Sequence, residues 1–269
     1  MEQEDRQLFS DLEAAVAVAG EFVKGAAGRA RVVEGTAIDA VNPTADIDRE
    51  TDALLCDALM AAYQGRTRPA YMTEERVDDL ARLGAREVLI VDPIDGTRNL
   101  LRGHPEASVS VALWREGALV WGCVVNPFRG ECFTAIKGEG TRLNGLPVRV
   151  SPCKDPANAL LLVSRSEHAS GRLEPVCGHI RCEPIGSVAY KMARVAAGLA
   201  EATFTVNQRS QWDLAAGDLL VREAGGRVTD AAGNDLVFNQ PNVQFRGLLA
   251  SNNLLHDWLK EVTTRVSRW

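Results

Sequence analysis

Residues 88–97 read "VLIVDPIDGT": an unbroken apolar run, then two aspartates three apart with a proline between them, closed by Gly96 and Thr97. A run this apolar suits a strand buried on both faces, which requires a layer of structure on each side of its sheet. The strand then ends by presenting Asp92, Asp95 and the Ile94 carbonyl on a stiff turn at the sheet edge. Three oxygen donors in one place suit a hard divalent cation. Gly96 and Thr97 add backbone N–H groups at the following turn, a way to hold phosphate without a side-chain charge.

The pattern on either side predicts the layers. Leu8, Leu12, Val16, Ala19 and Val23 recur at helical spacing up to about Gly25. A second helix is expected to start at Asp46 to Asp48, with Pro43 and Thr44 as the start signal and Leu54, Leu55, Ala58, Leu59 and Ala62 as its apolar face. "RPAYMTEE" reads as a short strand running into Glu74 and Glu75. "ASVSVALW", "ALVWGCVVN" and "ECFTAI" read as consecutive antiparallel strands with turns at "REG" and "PFRG", and "GTRLNGLPVRVS" adds a turn and one more.

"PCKDPAN" then reads as a boundary between an N-terminal α+β lobe, 1–152, and a C-terminal α/β lobe, 153–269. In the second lobe strand and helix alternate: "ALLLVS", a helix over Glu167 to Val176, "GSVAYKMARVAAG", "EATFTV", "DLAAGDLLVREAGG", "GRVTD", "GLLAS" and a last helix from about Leu254. The expected fold is α+β with a cleft between the lobes.

With 30 basic and 36 acidic residues among 269, of mixed sign along the chain, no basic stripe exists to neutralise a nucleic-acid backbone. No apolar run approaches the ~18 residues that span a bilayer. Six scattered cysteines and the acidic start "MEQEDRQLF" point to a reducing, cytoplasmic setting. "CGHIRC" at 177–182 lacks a second ligand pair at zinc spacing and reads as a surface loop. His104, His168, His179 and His256 accompany no nucleophile motif and read as surface or packing residues.

Each acidic piece also has an ordinary structural reading: Glu74-Glu75 as a solvated turn, Asp213 in "WDLAAGD" as a helix N-cap, Asp-Pro-Ile-Asp as loop chemistry. Together and in this order, "TEE", "DPIDGT" and "WDLAAGDLLVREAGG", with "NPTADID" upstream, "GTRLNGLPVRVS" in the middle and "GSVAYKMARVAAG" before the last, resemble the inositol monophosphatase superfamily of Mg2+-dependent, lithium-sensitive phosphatases. The resemblance implies a layered α-β-α-β-α sandwich, two to three Mg2+ ions, a small phosphorylated metabolite as partner, and a homodimer. It makes Glu74, Asp92, the Ile94 carbonyl, Asp95 and Asp213 the metal shell, with Asp92 bridging two ions, and it pairs Thr97 with Asp48 to orient the attacking water. Thr73, where the family has Gly or Ser, and Leu100, where it has an aromatic, depart from the pattern without touching a ligand.

For the substrate, the resemblance favours 3'(2'),5'-bisphosphate nucleotidases over inositol-1-monophosphatases. Val206 stands seven residues before Asp213, where the latter carry a glutamate that grips ring hydroxyls. "LLLVSRSEH", "PIGSVAYK" and Glu106 resemble the nucleotidase pattern. Ser187, Lys191 and Arg209 are then the candidates to meet a second phosphate, with Lys191 as a solvated surface residue the competing reading. Inositol or fructose 1,6-bisphosphate hydrolysis stands next and histidinol phosphate third. A regulatory protein that binds transcription or translation machinery is the reading from a different class.

Overall fold

A computed structural model of the chain describes residues 3–29 and 45–266. Helix α1 (Gln3–Ala26) turns the spacing of Leu8, Leu12, Val16, Ala19 and Val23 into one buried stripe. Helix α2 (Ala45–Ala61) begins one residue ahead of the expected start, and Pro43-Thr44 lie outside the described residues. Leu55 and Leu59 of α2 join that stripe against one face of a seven-stranded sheet.

The sheet keeps chain order: β1 (Ala70–Thr73), β2 (Glu87–Asp95), then, after the short helix α3 (Thr97–Leu101), β3 (Ser108–Arg115), β4 (Ala118–Asn126), β5 (Glu131–Ile136), β6 (Gly140–Leu143) and β7 (Leu146–Val148). β1 runs parallel to β2, and every later pair is antiparallel. Alternate residues of β2 divide between two cores: Leu89 and Val91 face α1 and α2, while Val88 and Ile90 face the other way.

One expectation changes here. Asp-Pro-Ile-Asp is not a turn after the strand, because β2 runs on through Asp95. Asp92 pairs with Ser110 and Asp95 with Ser108, so three steps on β2 oppose two on β3. Residues three apart on a regular strand point to opposite faces, and the bulge brings both carboxylates to one side. Pro93, with no N–H to give a ladder, sits within that irregularity.

The second half supplies β8 (Leu160–Ser164), α4 (Arg165–Ala169), α5 (Glu174–Cys177), β9 (Arg181–Ile185), α6 (Val188–Ala196), β10 (Ala202–Thr205), β11 (Arg209–Ser210), α7 (Gln211–Glu223), β12 (Arg227–Thr229), β13 (Gln244–Phe245), β14 (Leu248–Ser251) and α8 (His256–Thr263). Five of these strands form a second sheet in the order β12-β14-β10-β8-β9, and β11 pairs with β13. The helix expected over Glu167–Val176 is two short helices, α4 and α5, with a turn between. "CGHIRC" is only partly a loop, since Cys177 ends α5 and Arg181-Cys182 open β9, with both cysteines packed on the adjacent core.

Helices α6 and α7 lie between the sheets, sharing one core with Val88, Ile90, Val124 and Phe133 on one side and Leu162, Val228 and Ala250 on the other. Contact between α7 and the first sheet is close: a Cβ on Gly122 of β4 would come within 3.2 Å of the Ala216 Cα. Leu173 and Val176, the N-cap and a member of α5, and Leu259 and Val262 of α8 cover the far face of the second sheet. The layers are thus α-β-α-β-α. Among the described residues no helix is long and apolar enough to cross a membrane.

Candidate active site

A cavity of about 500 Å³ opens where the β2 bulge, the start of α3, the β8–α4 junction, the start of α6 and the β11–α7 junction converge. Its lining includes Glu74, Asp92, Ile94, Asp95, Gly96 and Thr97 from the first half, and Ser187, Lys191, Arg209 and Asp213 from the second. Ligand oxygens of Glu74, Asp92 and Asp213 all lie within 4.8 Å of one another.

Each carboxylate is held by its own local structure. The Ile94 N–H donates to Asp92 Oδ1 at 3.1 Å, closing a tight turn inside the bulge. Asp95 Oδ2 accepts from the Ser187 hydroxyl and from the Ala189 N–H, both at 2.6 Å, at the positive end of α6. Asp213 is the third residue of α7 and not its N-cap; Oδ2 accepts from the Ser210 N–H at 3.0 Å, one half of a capping box. Thr97 donates its hydroxyl proton to the Ile94 carbonyl at 3.0 Å. Asp48 is buried on the first turn of α2, outside the described cavity lining, yet its negative charge reaches Glu74 and Asp92.

Burial and mutual repulsion make this floor hard to ionise. Partial loss of water, then the charges of Asp213 and Asp95, push Glu74 up to about 7, although Glu74 keeps an exposed surface and is the least buried of the three acids. Burial and then Asp95 push Asp213 up to about 6, against the opposing pull of Arg209. Asp92 is raised by burial first and then by Asp95 and Glu74. Asp95 is raised by burial, a shift that its bonds from Ser187 and Ala189 oppose.

Basic residues line the same cavity. Lys191 is 2% exposed, which removes the solvated-surface reading, and its Nζ makes no hydrogen bond among the described residues. Burial and the neighbouring Arg209 bring Lys191 down to about 8, while Asp95 and Glu167 pull the other way. Ser187 lines the cavity, but its hydroxyl is committed: it donates to Asp95, accepts from the Tyr190 N–H at 2.9 Å and lies 2.9 Å from the Ser108 hydroxyl.

Three arginines that the sequence reading passed over also line the cavity: Arg98, Arg102 and Arg165. Arg165 sits inside the noticed "SRSEH" stretch, and its Nη2 donates to Glu106 Oε2 at 2.5 Å, tying the second sheet to the first; Arg129 adds a longer ion pair to Glu106 at 3.5 Å. Glu106, singled out only by its place in a motif, therefore orients a cavity cation. Far from the cavity, His256 is buried with its ring nitrogens 3.0 Å from the Thr229 and Ser251 hydroxyls, a packing role as expected.

The family model described as "Inositol monophosphatase family" matches residues 4–267. Similar relatives include the Nus factor SuhB of Escherichia coli K12, 32% identical over 232 residues that cover 80% of this chain and 84% of the relative. The Nus factor SuhB of Pasteurella multocida is 34% identical over 199 residues, 70% of this chain and 72% of its own. Among solved structures, an IMPase of Thermotoga maritima superposes with a TM-score of 0.80 at 28% identity, covering 97% and 98% of the two chains. The extragenic suppressor protein suhB of Bartonella henselae does so at 0.78 and 27%, covering 95% and 98%.

Proposed function

The chain belongs to the inositol monophosphatase family and is a phosphatase, and from this we propose that it is a Mg2+-dependent, Li+-sensitive hydrolase of small phosphate monoesters bearing a second anionic group, with 3'-phosphoadenosine 5'-phosphate ahead of inositol 1-phosphate. The observation that carries the reading is the cluster of Glu74, Asp92 and Asp213 in one cavity with Lys191, Arg209 and Arg165.

The donors fit Mg2+: carboxylate oxygens and the Ile94 carbonyl, all hard, with carboxylates crowded enough that their mutual repulsion raises their proton affinity and a cation offsets it. In our reading Glu74, Asp92, Ile94, Asp95 and Asp213 hold it. Bound there, the cation supplies Lewis acidity toward water and the phosphoryl oxygens. Thr97, whose own proton goes to the Ile94 carbonyl, keeps lone pairs to accept a hydrogen bond from the attacking water, with Asp48 as the second acceptor. The Gly96 and Thr97 N–H groups are assigned to the phosphate. No side-chain nucleophile is needed.

Substrate choice rests on these basic residues. Lys191 is only 2% exposed, and Nε of Arg165 and of Arg209 are buried with no hydrogen-bond partner, so an anion in the cavity would offset a cost the folded chain bears. Arg209 and Arg165 flank it, and Trp212 offers an aromatic face in the same cavity. A charge-assisted contact is worth roughly 1.5–3 kcal/mol, so Arg209→Ala is expected to cost the bisphosphate nucleotide about ten- to a hundredfold in kcat/KM and to leave inositol 1-phosphate nearly unchanged. Phosphate release from both substrates, with fructose 1,6-bisphosphate and histidinol phosphate beside them and a chelated control, tests the reading. Full activity in chelator removes the mechanism, and an equal Arg209→Ala penalty on both substrates removes the nucleotidase assignment.

The six free thiols fit a reducing compartment, and we assign the cytoplasm. A second reading, a regulatory protein that binds the transcription machinery, is favoured by the name Nus factor borne by the relatives. It is separated from the first by turnover: a purely regulatory chain would release no phosphate from any ester in the panel.

A further inference from the structure

Arg82 is an arginine with 3% of its surface exposed, and nothing in the chemistry above uses it. It lies in the 3-10 turn Ala81–Gly84, which closes the loop bearing Glu74. Its guanidinium is fully engaged. Nε and Nη2 grip Asp78 of the same loop at 3.0 and 2.7 Å, Nη1 donates to Asn239 Oδ1 at 2.7 Å, and Nη2 donates to the Gln240 carbonyl at 2.9 Å.

The far side of that contact leads to the other half of the site. The Asn239 N–H donates to Gln211 Oε1 at 2.6 Å, and Gln211 Nε2 donates to the carbonyls of Gln240 and Asn242 at 3.2 and 3.1 Å. Gln211 is fully buried and is the first residue of α7, two before Asp213. A continuous set of hydrogen bonds therefore joins the loop of Glu74 to the helix start of Asp213. The near end of the same loop is pinned separately, since Asp52 of α2 accepts from the Thr73 and Tyr71 hydroxyls and from Arg76.

Glu74 and Asp213 carry like charges and repel each other, so a loop and a helix contributed by different halves of the chain need an external tie to keep them at ligating separation. We propose that Arg82 is a positioning residue for the cation site: through Asp78, Asn239, Gln240 and Gln211 it holds Glu74 and Asp213 together before the cation arrives. The proposal rests on the reading of the carboxylate cluster as a cation site. Second-layer groups of this kind typically change metal affinity by about ten- to a hundredfold.

The test is calorimetric titration of Mg2+ alone into the full-length protein and three variants. Arg82→Lys keeps the charge but loses the fork, and Asn239→Gly removes the acceptor while tolerating the left-handed backbone at that position, φ 57°. Arg115→Ala is the control; it breaks ion pairs to Asp5 and Glu87 at the other end of β2, about 16 Å of strand away from Asp92. Arg82→Lys and Asn239→Gly are expected to weaken Mg2+ binding roughly tenfold or more with kcat at saturating Mg2+ within about twofold. Arg115→Ala lowers the melting temperature and leaves Mg2+ affinity alone. Wild-type affinity in both Arg82→Lys and Asn239→Gly, whatever their melting temperatures, overturns the proposal. A wild-type protein that takes up no Mg2+ removes the cation-site reading and the proposal with it.

Discussion

Asp92 concentrates the difficulty of the site in one side chain: it is 1% exposed and faces Asp95, Glu74 and Asp213. Replacing it with Asn keeps the shape and removes the charge, so turnover at saturating Mg2+ should fall by orders of magnitude. The metal-free protein should melt at the same temperature or higher, because a desolvated like charge is gone. A kinetic assay beside a thermal melt checks both halves. The titration of the floor carries a second prediction. Glu74 goes from 4.5 to about 7 and Asp213 from 3.8 to about 6 on folding without a cation. Raised acids favour the folded state fully below pH 4, and that contribution is lost as pH climbs through 6 to 7. Mg2+ competes with those protons, so the rise in melting temperature on adding Mg2+ should grow between pH 5 and pH 8; a rise that shrinks over that range would contradict the assignment. These acids were legible in the sequence because each sits in a short motif with its own turn chemistry. Lys191 was legible as a candidate but its burial was not, and Arg98, Arg102 and Arg165 were missed, since what matters about them is their place beside residues distant in sequence.

At the level of elements, periodicity carried most of the reading. Helix α1 and strands β3, β4 and β5 lie where spacing of apolar residues puts them. Irregular pieces were harder: α3 has five residues, too few for a period, and the bulge in β2 depends on Ser108 and Ser110 of the partner strand. That bulge and the turn after it form one device. Gly96 follows with φ +100°, and a Cβ there would come within 2.8 Å of the Glu106 carbonyl oxygen. Gly96→Ala should therefore cost about 1–3 kcal/mol of stability, read as a lowered denaturation midpoint. Because the strain falls between Asp95 and Thr97, activity at saturating Mg2+ should drop as well. A fully active variant of unchanged stability would show that this backbone has room to move.

The whole molecule is a stack in which chemistry and architecture share one helix. Helix α7 packs on β2, β3, β4, β5 and β6 and also reaches the second sheet, and it delivers Asp213 to the cavity. That the first sheet is covered was legible because strands buried on both faces need covers on both sides, whereas the full layer order came from the family resemblance. The sharing of α7 was not legible, because Gly122 reads as an ordinary strand interruption until Ala216 is seen against it. Its consequence lies in biogenesis. The last strand of the first sheet, β7, ends at Val148, and the helix that covers the sheet's inner face ends at Glu223. At roughly 5–20 residues per second, a ribosome needs about 4–15 s to make the stretch between. Until α6 and then α7 have been made, Val88, Ile90, Val124 and Phe133 lack part or all of their cover, and the nascent chain exposes apolar surface of the kind that chaperones bind. A fragment of residues 1–152 made alone should accordingly bind a hydrophobic dye and aggregate, and a soluble, dye-silent fragment would refute this. The helix that delivers Asp213 to the cavity also sets when the newborn chain's cover is complete.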